Sequence, residues 1–133
     1  MKTLKNALLG TLVLLLASCG ATAKFPTSTV APASVITATK KKDKNKNYII
    51  EVTAELLASP DRLTPPKNNY SVWIVTDNNM TQNVGQLKNK NAKTATLTTS
   101  TPFNVKEIFI TAEDKGDNSY PSGVEISRTT FSK

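Results

Sequence analysis

Histidine is absent from this chain. That removes the commonest general base and the commonest metal ligand, and with them every nucleophilic triad that depends on an imidazole. Cysteine occurs once, at position 19, so no disulfide can form within the chain and a folded domain must rest on its apolar core. No apolar run is long enough for a membrane-spanning helix. The longest, Ala7 to Ala17, is interrupted only by Gly10 and Thr11, and as a helix it would span roughly 16 Å against about 30 Å of bilayer hydrocarbon. Carboxylates and hydroxyls are scattered without a recognisable pairing of base and nucleophile, so catalysis is not expected.

Charge is present but unevenly spread over a formal net of +7. Between Gly20 and Asn47, Lys24, Lys40, Lys41, Lys42, Lys44 and Lys46 are opposed only by Asp43. From Tyr48 onward nine basic residues meet nine acidic ones. The later part of the chain is therefore neutral. It shows no basic stripe interleaved with aromatics, and nucleic acid is not an expected partner.

The N-terminus reads as a secretory signal, with Lys2 and Lys5 before the apolar segment. Leu16-Ala17-Ser18-Cys19 resembles, position by position, the lipobox of bacterial lipoproteins. The resemblance implies cleavage between Ser18 and Cys19, a diacylglycerol thioether on the Cys19 sulfur and acylation of the new amino group. A thiol is the strongest nucleophile available for that attachment, and small residues before it let a peptidase grip an extended backbone. Two or three acyl chains hold firmly where a single myristoyl chain binds only marginally. An ordinary signal peptide with a cysteine near the cut, and a buried structural cysteine, are the competing readings. Gly20 follows the cysteine where an aspartate would favour inner-membrane retention in some bacteria, so both the cell membrane and an outer membrane are candidate locations.

Gly20 to Thr39 is rich in Thr, Ala, Ser and Pro, and Lys40 to Asn47 is a charged run. Both read as a flexible linker, which as a loose coil would span about 30 Å. Its lysines are either simply solvated or rest on anionic lipid. The expected organisation is a signal peptide over 1–18, a lipid-anchored disordered linker over 19–47 and a folded domain over 48–133.

Within that domain, Tyr48 to Leu57 alternates, with Ile50, Val52, Ala54 and Leu56 set to face a core; a helix is the competitor. The prolines of 59–69 mark a loop. Tyr70 to Thr76 is apolar on both faces, as in a strand covered on both sides. Val84 to Leu87 is a short strand candidate, and Ala92 to Thr99 alternates with Ala95 and Leu97 inward. Phe103 to Ala112 carries Val105, Ile108 and Ile110, whose spacing predicts a bulge near Lys106-Glu107. Val124 to Phe131 closes the chain. Six or seven short strands separated by turns, with no amphipathic helix after the signal, predict an all-β fold, an antiparallel β-sandwich.

Tyr70-Ser71-Val72-Trp73-Ile74-Val75 resembles the Tyr-x-x-Trp-aliphatic core of the extracytoplasmic domain of anti-sigma-K factors. Leu63-Thr64-Pro65-Pro66 is similar to the loop before that strand and Val84-Gly85-Gln86-Leu87 to its short following strand. Thr111-Ala112-Glu113, Gly116 and Pro121-Ser122-Gly123 are similar to its Thr-x-Glu…Gly…Pro-x-Gly close. The likeness runs from about Leu63 to Ile126. It implies an immunoglobulin-like sandwich on the outer side of a membrane. Neither the helical sigma-binding domain nor the membrane span of that family is legible here, so sigma binding is not implied. Trp73 is expected in the core.

The expected function is a lipid-anchored interaction module whose partners are the bilayer, through Cys19, and an envelope protein or cell-wall component. No cofactor is expected. The alternatives are a calcium binder using Glu113 to Asn118, a carbohydrate binder using Tyr48 or Tyr120, and a small hydrolase. Asn69-Tyr70-Ser71 and Asn79-Met80-Thr81 match glycosylation sequons by chance.

Overall fold

The computed structural model describes residues 20–131. The signal segment, with Ser18 and Cys19, lies outside the described residues. Nine strands follow in chain order: β1 (Ala21–Lys24), β2 (Val35–Lys42), β3 (Tyr48–Glu55), β4 (Asn69–Thr76), β5 (Thr81–Gln86), β6 (Lys88–Asn89), β7 (Thr94–Thr101), β8 (Val105–Glu113) and β9 (Val124–Thr130). They form two antiparallel sheets, ordered β1-β2-β3-β7-β6 and β5-β4-β8-β9. With β1 set aside, these orders are the ABED and C′CFG sheets of an immunoglobulin-like sandwich.

One expectation is overturned. The segment 19–47 is not a disordered linker from Gly20 onward: it supplies β1 and β2. β1 pairs with β2 through four rungs from Ala21↔Lys40 to Lys24↔Thr37, and β2 pairs with β3 along its whole length. Ala23, Phe25, Ala31, Ile36 and Ala38 are buried in the main core. The apolar alternation of β2 is carried by Ile36 and Ala38, and an alanine buries little area, so backbone pairing with β3 decides the state of this segment more than local hydropathy does.

The main core lies between the sheets, where Ile50 and Val52 of β3 face Val72 and Ile74 of β4 and Ile108 and Ile110 of β8, all fully buried. Each such side chain contributes about 1.5–3 kcal/mol. β3 keeps the expected alternation through Ala54, but Leu56 does not turn inward. It is 54% exposed with φ 56°, and its N–H donates to Lys93 O at 2.8 Å, because the strand ends in a left-handed residue there. The bulge expected in β8 is present: Val75 pairs with Glu107 and Thr76 with Val105, leaving Lys106 as the extra residue.

β4 lies between β5 and β8 and is buried on both faces. Trp73 is fully buried, yet not in the inter-sheet core. It forms a second cluster with Val75 and Phe109, stacked on Phe109 with ring centroids 6.1 Å apart. Arg128 closes that cluster, its guanidinium 3.9 Å from the Phe109 ring centre, and it pairs with Glu107 and Glu125.

The register gives the sandwich two ends. Gly20, the tips at 43–47, 77–80 and 102–104, and Phe131 lie at one, called proximal here. The loops at 25–34, 56–68, 87–93 and 114–123 lie at the other, called distal.

Candidate functional site

At the distal end the outer face of β8 carries Thr111 and Glu113, with Trp73 on neighbouring β4. Trp73 Nε1 donates to Thr111 Oγ1 at 2.8 Å, and the Thr111 hydroxyl donates to Glu113 Oε2 at 2.5 Å. The Glu113 carboxylate, fully buried, also accepts from the Ser122 hydroxyl (2.9 Å), the backbone N–H groups of Ser122 (3.2 Å) and Gly123 (3.1 Å), and Asn118 Nδ2 (3.3 Å). Burial pushes this carboxyl up, but the bonds from Thr111, Gly123 and Ser122 outweigh it and hold the pKa below the ordinary glutamate value. The cage folds the 114–123 loop against the sheet, and Asn83 Nδ2 fastens its middle by donating to Gly116 O and Asn118 O. Gly123 is required by contact: a Cβ there would lie 1.7 Å from Ala112 O.

Beside this cage a cleft of about 350 Å³ opens between the 57–61 and 67–69 segments, with Tyr70, Leu87 and Ala95 on its inner side and Asn89 at its edge. The Tyr70 hydroxyl donates to Ala58 O at 2.6 Å. Burial, with a contribution from Asp61, pushes its pKa up to about 12, so it stays a neutral hydrogen-bonding group. One wall is tied to the cage: Lys67 Nζ bonds Asp114 Oδ2 at 3.3 Å, and Asn68 N donates to Glu113 O at 3.0 Å. The amides of Asn68, Asn69 and Asn89 and the Tyr70 phenol line the cleft beside apolar Leu57 and Leu87, with Asp61 and the already paired Lys67 as its charges. Such a lining suits an uncharged polar ligand.

The residues singled out in the sequence fall as follows. Ser18 and Cys19 are outside the described residues. The carboxylates of 113–118 do not converge: Glu113 is enclosed by the 114–123 loop, Asp114 pairs with Lys67, and among the described residues no three acidic, Cys or His side chains gather. Tyr48 is half-buried with the amines of Lys40 and Lys42 5.8 and 5.6 Å from its ring centre, whereas Tyr120 is 73% exposed on the distal loop. Asn69 lies in β4 and Asn79 in the turn after it. Sequence reasoning missed the cleft, since its walls come from four separate segments. It also missed Lys40, whose amine turns in to bond Asn104 Oδ1 (3.0 Å) and Val105 O (2.8 Å) over the Phe131 ring. Burial pulls that amine below the usual lysine range, partly offset by Asp77.

Comparison with protein-family models, with curated proteins and with solved structures returns no match. No helix among the described residues is long and apolar enough to cross a membrane.

Proposed function

We propose that this chain is a bacterial lipoprotein, held by acyl chains on Cys19 outside the cytoplasm. Its sandwich, like the extracytoplasmic domain of anti-sigma-K factors, works as an envelope interaction module with the distal cleft as its ligand site. The observation that carries this reading is the polarity of the sandwich: β1 starts at one end, at Ala21, and the cleft opens at the other. A lipid on Cys19 leaves the cleft facing away from the bilayer. The family likeness is supported by the cage, because Thr111, Glu113, Ser122 and Gly123, which carry it in sequence, meet around one carboxylate. The ligand class is an uncharged polar segment of an envelope protein or a cell-wall component.

Mass spectrometry of the mature protein tests the anchor: the expected N-terminus is an acylated Cys19, and a start at another residue or a free thiol overturns it. A photo-crosslinking residue at Asn89, compared in intact cells with one at exposed Thr98 on the outer face of β7, tests the cleft. Adducts specific to position 89 are expected. The same adducts from both positions, or none from either, remove the cleft as the site.

A further inference from the structure

We infer that the proximal end of the sandwich is a docking face for anionic lipid, which holds the domain upright on the membrane; this rests on the anchor reading above. Cys19 is two residues from Ala21, the first residue of β1. At roughly 3.5 Å per residue the attachment reaches about 7 Å, less than the Debye length of about 8 Å at physiological salt. The early placing of β1 therefore replaces a long tether with a contact distance, and the charge of the nearest surface lies within about one Debye length of the headgroups.

That surface is basic. Ala21 pairs with Lys40, and β2 continues past it into Lys41 and Lys42, followed by the 43–47 tip with Lys44 and Lys46. Lys41, Lys42, Lys44 and Lys46 are all exposed. Lys40 is not part of the free set, because its amine is committed to Asn104 and Val105. Lys106, at the same end, bonds Asn79. Two aspartates here keep their charge while accepting bonds, Asp43 from the N–H groups of Asn45 and Asn47 and Asp77 from Asn104 Nδ2, and the lysines outnumber them. Met80 (46% exposed) and Phe103 (39%) stand on tips of the same end, apolar groups that an interface can take up. The distal end differs, with Lys24, Arg62, Lys67, Lys88, Lys90, Lys93 and Lys115 dispersed among Glu55, Asp61, Asp114 and Asp117 and with Lys67 paired to Asp114. Charge complementarity selects an anionic bilayer as the occupant of the proximal face.

The lipidated protein, purified from membranes and reconstituted in phosphatidylcholine vesicles with or without phosphatidylglycerol, is treated with an amine-acetylating reagent, and the rate at each lysine is read by mass spectrometry. Lys41, Lys42, Lys44 and Lys46 are expected to react several-fold more slowly on the anionic vesicles, and Lys88, Lys90 and Lys93 equally on both. The difference is expected to vanish at about 1 M salt, where the Debye length is about 3 Å. Equal rates at the proximal lysines on the two vesicles overturn the proposal, as does protection that needs an added anionic polymer instead of anionic lipid. A mature protein without acyl chains refutes the anchor alone. Its salt-sensitive cosedimentation with phosphatidylglycerol vesicles would still support the face, and failure to cosediment would overturn it.

Discussion

The two ends of the sandwich are built on different principles. The proximal end is closed by short turns and one inward lysine, and its exposed lysines outnumber the two aspartates beside them. The distal end is made of longer loops, fastened by a buried carboxylate and opened by a cleft, with charges of both signs. The difference separates two tasks that one surface cannot combine: an unshielded lysine cluster acts at a distance on whatever anion is near, whereas a recognition site needs polar groups fixed in place by neighbours.

The sharpest way to break the comparison is to remove the fastening. Glu113→Ala leaves Thr111, Ser122, Gly123 and Asn118 donors without their acceptor. It is expected to cost at least about 3 kcal/mol, measured by urea unfolding, with hydrogen exchange rising first in 114–123 and the 43–47 tip unaffected. Acid tests the same bond set without mutation. A carboxyl whose pKa falls on folding contributes stability that is whole above its unfolded value, about 4.3, and is lost as pH falls through the lower folded value. The distal loop is therefore expected to open at a pH below the ordinary glutamate range, and Glu113→Gln to abolish that acid limb.

A smaller effect sharpens the picture of the cleft. Tyr70→Phe strands Ala58 O and is expected to cost about 1 kcal/mol, seen as a lowered thermal midpoint. The Tyr70 proton, held to about pH 12 in the fold, stabilises fully below the unfolded value near 10 and loses that contribution as pH rises from there. The variant should lack this alkaline decline. The smallest change is expected at the other end. Replacing Lys41, Lys42, Lys44 and Lys46 together by glutamine should move the urea midpoint little, since exposed substitutions each stay within about 0.5 kcal/mol.

Much of the sandwich was readable because its strands from Tyr48 onward alternate cleanly or are apolar throughout. Even the Lys106 bulge shows as a broken spacing between Val105 and Ile108. The first two strands hid behind composition. Thr37, Thr39 and small Ala23 and Ala38 give a weak hydropathy signal, and the lysines of 40–42 look solvated although Lys40 points inward. Trp73 was legible as buried but not as belonging to the outer cluster, because a strand apolar on both sides does not say which face meets which sheet. Leu56 followed the alternation and still turned out, since a backbone reversal ends the pattern one residue early. The Glu113 cage was visible only as a motif; the reason for its glycine is a carbonyl 1.7 Å from where a side chain would begin.

β1 runs from the proximal end towards the distal end, hydrogen-bonded to β2 over four consecutive rungs. If Cys19, two residues before it, is fixed in lipid and something tugs on the far loops, the tension lies along the strand. The rungs are then loaded together in shear instead of peeling open one at a time, and the four-rung ladder at the β1 edge of the larger sheet becomes the seam that resists the pull.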